Sequence, residues 1–397
     1  MKNTNRPSLF FNIEIFLLAA NMRIAITSIP PIISMIAKTF NLSTAQMGAL
    51  TTIPVLCFGF LSVLAGRIIT KIGTGLSLQI ALICLTTANI LRVYTNSAMI
   101  VGTVLVGASI AVINVLMPTI IVEWHPESST RLNGLYSAAM NLCSAIAGAI
   151  VVPIATQFGW EFMVQLLSVP AILAFIGWLF LPKNGKRKVP IRQSKDLKSV
   201  PKRKVWRRPE VWFLAIFMGC QSGVFYTVVA WLPNVLVSHG MTASTAGILF
   251  AVFQIAGVPF SYIVPRATSK ASSMRMVMAG LCAGYLIGIG TLIINEAPFW
   301  ILTIACIIAG ITTSSIFTLV LSLITVISDS AQDAGMVGGF TQSVGYLIAS
   351  AGPTIFGIVR STSGSWPVTL AIILGVAVVA IVVGFGLIHH LSNKMMA

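Results

Sequence analysis

Charge is scarce in this sequence. Only 9% of its 397 residues are Asp, Glu, Lys or Arg, against about 25% in a soluble globular domain. A chain of this length with so little charge cannot cover a water-exposed surface. Acids are scarcest, nine against 25 Lys and Arg. The sequence lacks a G-x-x-x-x-G-K-S/T phosphate loop, so ATP hydrolysis has no basis here. Energy for any uphill step must come from a gradient of ion or solute. The four histidines form no H-x-x-x-H pair. His125 and His239 fall in loops, and His389-His390 suit a helix C-terminus or a lipid phosphate. Cys57, Cys84, Cys143, Cys220, Cys282 and Cys306 each lie inside an apolar run with no C-x-x-C spacing. They read as small buried hydrophobes rather than disulfides or metal ligands. Neither a metal site nor a cofactor is expected, and nothing indicates an enzyme. The first apolar segment has no compact cleavage pattern and reads as a retained helix. Neither a selectivity filter nor a ring of like charge suggests a channel.

What is present is apolar: 56% of residues are hydrophobic. About twenty consecutive apolar residues cross the hydrocarbon of a bilayer. Twelve runs of roughly that length lie near 10–36, 46–68, 76–93, 97–122, 132–157, 162–181, 210–236, 242–265, 273–294, 299–325, 334–359 and 365–388. The net charge of +16 would suggest nucleic acid in a soluble protein. Here, however, twelve of the 25 basic residues fall between Lys183 and Arg208. That stretch has no aromatic interleaving beyond Trp206 and no zinc or helix-turn-helix signature, so a cytoplasmic loop explains it better. With both termini cytoplasmic, 21 basic residues face inward and only Lys38, Arg92 and Arg360 face outward. The expected organisation is all-α and polytopic: a six-helix bundle over 1–181, a basic cytoplasmic linker over 182–209 and a second six-helix bundle over 210–397. A trace of duplication supports it. NLSTAQMGAL from Asn41 and GMTASTAGIL from Gly240 align Leu42 with Met241, Gly48 with Gly247 and Arg67 with Arg266 at one offset. Proline precedes each repeat, at Pro30-Pro31 and at Pro233. Two related bundles around a central path suit a secondary transporter, with one bundle rocking against the other.

Polar residues inside spans are expensive and mark candidate function. Arg23 sits near the middle of the first span, where an arginine costs about 2.5–3.5 kcal/mol on insertion scales. Glu14 lies nine residues earlier, more than about 13 Å along a helix, and the other acids lie near span ends. The guanidinium either faces a wet cavity and meets an anionic or electron-rich solute, or is tied to backbone carbonyls. Its planar fork matches a carboxylate or nitro group. Asn21 points elsewhere on the helix and can bond a neighbouring span or the solute. Thr27 shares the Arg23 face. Pro30 and Pro31 remove backbone donors and bend the helix, for gating or for packing. Asn114, four residues before Pro118, lines the cavity or bonds a neighbour. Tyr136 shares a face with Met140 and is a solute ligand or an interface anchor. In the seventh span Gln221, Phe225, Tyr226 and Trp231 can stack on and orient a small planar solute, or act as belt anchors. Gln342, Tyr346 and Ser350 form one stripe in the eleventh span, beside Gly338, Gly339 and Gly345 that permit close helix approach. Arg67 and Arg266 read as clamps on helix ends, and Asp329 and Asp333 as N-terminal caps. Glu14 is the candidate for proton coupling, which stays open alongside uniport, exchange and movement of the solute's own proton.

Taken together these residues resemble the major facilitator superfamily, specifically the bacterial cyanate and 2-nitroimidazole transporter family, over nearly the whole chain. Asn21-Met22-Arg23 matches that family's Asn-x-Arg signature. Gly107 through Pro118 matches its fourth span and Asn133-Gly134-Leu135-Tyr136 the start of its fifth. Gln221-Ser222, Tyr226 and Trp231-Leu232-Pro233 match its seventh. Gln342-Ser343-Val344-Gly345-Tyr346 with Gly352-Pro353 matches its eleventh. The resemblance implies a twelve-helix facilitator with alternating access in a bacterial cytoplasmic membrane. It also implies that Arg23 and polar residues of spans four, seven and eleven line a central site. The chain departs from the family at Val326-Ile327-Ser328-Asp329, where relatives often carry a basic residue, and at Arg360-Ser361, where they often carry His-Asp. The reading is a secondary transporter, functional as a monomer, for a small polar or anionic organic solute. The alternative is a multidrug or toxic-compound exporter of broad selectivity.

Overall fold

The computed structural model describes residues 8–125, 128–181, 205–267, 271–294, 296–328 and 331–396. Some side chains near helix ends, those of Arg67, Pro118 and Arg266 among them, lie outside the description, and with them the expected clamps. So does Asp329, expected as a cap. The described residues are helical, without strands. The first half holds α1 (Leu9–Thr27), α2 (Ile29–Phe40), α3 (Thr44–Ile72), α4 (Thr74–Leu91), α5 (Asn96–Trp124), α6 (Ser129–Phe158), α7 (Trp160–Leu166) and α8 (Val169–Phe180). The second half holds α9 (Pro209–Ser238), α10 (Ala243–Ala256), α11 (Val258–Ala267), α12 (Ala271–Thr291), α13 (Phe299–Ile327), α14 (Ala331–Ser363) and α15 (Trp366–Met396). Among the described residues, twelve helical segments are long and apolar enough to cross a bilayer.

Three expected spans are broken into two helices each. The first run stops at Thr27, turns at Ser28 and restarts with Pro30 and Pro31 in the opening turn of α2. Two successive prolines remove two successive backbone donors, and the helix cannot continue through them. By contrast Pro233, the expected counterpart, lies inside an unbroken α9, because one missing donor is tolerated within a packed bundle. Breaks also separate α7 from α8 ahead of Pro170 and α10 from α11 ahead of Pro259, single prolines that open the next helix where a missing donor costs nothing.

Side chains such as Ile80 and Ile83 on α4 and Val379 and Val382 on α15 stay exposed. An apolar exterior of this kind requires lipid as its solvent. Helix ends alternate between two faces. Phe11 of α1 stacks on Trp124 at the end of α5, and Trp124 lies against Trp178 of α8. That is the face to which the basic linker attaches, here called the linker side. On the far side Trp160 Nε1 donates to Thr39 Oγ1 at 3.0 Å and His239 bonds the Leu292 carbonyl at 3.2 Å.

The halves meet along two seams, α3 with α14 and α6 with α10. Gly48 lies against the Pro353 carbonyl and Gly148 against the Phe250 ring, with no room for a Cβ at either. These close approaches let polar groups cross between the halves. Thr52 Oγ1 and Thr354 Oγ1 lie 2.8 Å apart, and Gln254 Nε2 donates to Ser144 Oγ. Where the linker meets the second half, Arg208 pairs with Asp333 of α14 at 2.8 Å, donates to the Ile327 carbonyl at 2.5 Å and reaches Glu210 at 3.4 Å. Burial alone works against the Arg208 charge, but Asp333 and Glu210 outweigh it and hold the guanidinium above the ordinary arginine value. Asp333, expected as a cap, sits in the first turn of α14 and also anchors the linker's exit.

Candidate functional site

A cavity of about 280 Å³ lies between the halves. On α13 its lining runs from Gly310 to Leu321, toward that helix's linker-side end, and on α6 it uses Ala138, Met140 and Asn141 near that helix's linker-side start. The cavity therefore lies toward the linker side. Its far side is the region held by the two seams.

Arg23 projects from α1 into this space. Its Cζ lies 5.3 Å above the centroid of the Phe225 ring on α9, a cation–π contact. Among the described residues no carboxylate pairs with it, and none of those lining the cavity is Asp or Glu. Three tyrosines from three other helices surround the charge. Arg23 acts electrostatically on the hydroxyls of Tyr136 on α6, Tyr226 on α9 and Tyr346 on α14. Tyr226 and Tyr346 pack edge-to-face at 6.2 Å with their hydroxyls bonded. The buried Tyr136 hydroxyl has no hydrogen-bond partner among the described residues.

Gln221, one turn before Phe225, is held at both ends of its amide. Its Nε2 donates to the Thr313 carbonyl at 3.0 Å, and its Oε1 accepts from Ser222 at 3.0 Å. An amide fixed in this way presents its remaining hydrogen and lone pair in a set direction. Phe253 stacks against Phe225. The arrangement is one cation, fixed amides and hydroxyls, and aromatic walls, which can grip a small planar or anionic molecule.

Of the expected site residues, the structure brings Arg23, Gln221, Tyr226 and Tyr346 to the cavity and places Tyr136 beside them. Others go elsewhere. Asn21 is buried and bonds the Leu17 carbonyl of its own helix at 2.8 Å, and Thr27 bonds the Arg23 carbonyl at 2.9 Å. Trp231 points to the far-side seam, its indole donating to the Pro353 carbonyl at 3.0 Å beside Phe356 and Trp366. Asn114 and Gln342 are half-buried and outside the lining, and Ser350 bonds the Leu347 carbonyl. Glu14 is buried against Gly177 of α8, also outside the lining. Gln254, Asn141 and the run Thr313, Ser314 and Thr318 line the cavity without having been anticipated. The signal was available: Gln254 is the lone amide of the eighth span, and the tenth span carries a run of Ser and Thr.

A profile of the Major Facilitator Superfamily matches residues 15–353. The chain belongs to that superfamily. It is a facilitator, hence a transporter and not an enzyme. Three relatives match along most of its length. The uncharacterized transporter YycB of Bacillus subtilis is 34% identical over 376 residues, covering 94% of this chain and 92% of that one. The 2-nitroimidazole transporter of Escherichia coli is 32% identical, covering 94% and 93%. The cyanate transport protein CynX of Escherichia coli is 24% identical, covering 88% and 90%. The facilitator fold accounts for the two bundles and the cavity between them, and this chain's own residues decide what that cavity can hold.

Proposed function

We propose that this facilitator is a secondary active transporter of a small polar or anionic organic solute, working by alternating access in a bacterial cytoplasmic membrane. The termini and the basic linker lie on the cytoplasmic side, the bundles 1–181 and 210–397 move against one another, and one chain supplies a complete path. The supporting observation is Arg23: a cation within a membrane helix, facing a cavity whose described lining residues include no acid. Relatives named for 2-nitroimidazole and for cyanate fit the same preference for a small, electron-rich solute. Gln221 and Gln254 orient the solute, Tyr136 and Tyr226 donate to it while Tyr346 donates to Tyr226, and the Phe225 ring covers its flat face. In this form the cavity lies toward the cytoplasm.

Uptake by purified protein in liposomes tests the reading. Replacing Arg23 removes a charge-assisted hydrogen bond worth about 1.5–3 kcal/mol, a loss of roughly 10- to 100-fold. Arg23→Ala and Arg23→Lys are both expected to lose transport while inserting normally, since lysine cannot reproduce the planar fork. Undiminished transport in either variant would sink the assignment, and equal handling of unrelated cations would favour the broad exporter.

A further inference from the structure

We infer that the carrier is an exchanger: it returns across the membrane with an anion bound far faster than it returns empty. The inference rests on the proposed anion reading and extends it to how the cycle is driven.

Among the described residues Arg23 has no fixed counter-charge. Glu14, on the same helix, packs against Gly177 outside the cavity lining. Glu210 and Asp333 are engaged by Arg208. Glu161 begins α7 and Glu296 lies between α12 and α13, both at the far side. In the present form Arg23 is only half-buried, so water in the cavity can still solvate it. Alternation requires the linker-side helix ends to close over the cavity before the far-side seams open. At that stage the guanidinium is enclosed at mid-membrane, where an unpaired charge is strongly disfavoured. The Phe225 face and three neutral hydroxyls offset only part of that penalty. A monovalent anion on Arg23 makes the enclosed cavity neutral. The anion therefore binds the occluded form better than the open one, and such a differential is what shifts a conformational equilibrium. A carboxylate of the protein's own would let the empty carrier close as well, and the described residues of the cavity lining include none. Because each crossing carries a neutralised cavity, one-for-one exchange of monovalent anions moves no net charge.

The full chain in liposomes is tested with radiolabelled cyanate, nitrite, formate and acetate as probes. Preloading the lumen with the same unlabelled anion is expected to raise initial uptake about tenfold or more, with no response to an imposed membrane potential. Equal uptake into empty and preloaded vesicles overturns the exchange mechanism and leaves the anion reading standing. No uptake of any of the four in either mode overturns the anion reading and exchange with it. A second readout needs no flux. A cysteine at the far-side seam, Thr52→Cys, is labelled by an impermeant maleimide applied from the far side. Labelling is expected to be slow without anion and faster with it. Adding Arg23→Gln to the same protein is expected to make labelling fast without anion, because the charge that blocks closure is gone. Labelling no faster than in the Arg23 protein overturns the inference.

Discussion

A single side chain in this protein has an environment set by what neighbouring helices offer it. Arg23 lies over one aromatic face, with three tyrosine hydroxyls within the reach of its charge. Arg92, counted among loop charges, is instead buried, with Nε and Nη2 unpartnered among the described residues. It closes the C-terminal end of α4, where the carbonyl dipoles favour a cation, and packs beside Gly102. His125 ends α5 with its ring 4.7 Å from that of Phe11. A helix C-terminus favours the imidazolium, yet burial wins and pushes the imidazole pKa below its ordinary value of 6.5. The neutral ring is thus the form that packs. Its stabilising contribution is complete above pH 6.5 and is lost as pH falls through the folded value. Melting of detergent-solubilised protein is expected to drop between pH 7 and pH 5, and His125→Phe, which keeps a ring but not the proton, is expected to flatten that drop. An unchanged slope would rule out this role.

Three spans in this chain are broken ahead of proline, and helix ends are joined by charge. The Arg208 side chain is 8% exposed and its partners on Glu210 and Asp333 are 11% and 15% exposed, so the network is largely withdrawn from water. Breaking such a network from one side leaves a buried charge unpaired, at about 3–5 kcal/mol. Arg208→Ala is expected to lower stability by an amount near the bottom of that range, since some water still reaches Asp333. The double variant Arg208→Ala with Asp333→Ala is expected to recover part of the loss, which thermal denaturation of the four proteins measures as non-additivity. Strict additivity would mean the two residues act separately. This joint was not legible in the sequence: Asp333 looked like a cap and Arg208 like one more basic linker residue. The residues are 125 apart, and only folding brings the start of α9 to the start of α14.

The whole molecule is two bundles sealed on one face by glycine-lined seams and carrying a cavity toward the other. With the linker side in the cytoplasm, an impermeant lysine reagent is expected to label the basic linker in inside-out vesicles and to leave it unlabelled in intact spheroplasts. Labelling in spheroplasts would invert the proposed orientation. The sequence alone determined the membrane class, the twelve spans and the basic stretch between the halves, and it singled out Arg23 as a costly charge within a span. Each of these follows from local composition and from the high cost of placing charge in hydrocarbon. Tertiary structure alone decided which polar residues share the cavity. Gln221 and Trp231 sit ten residues apart in one helix, yet one lines the cavity and the other bonds the far-side seam. Gln254 looked no different from any lone amide until Ser144 was found opposite it. Membrane helices carry no hydrophobic contrast between lipid and protein neighbours, so a residue's direction is set by the shapes and hydrogen bonds of helices distant in the chain.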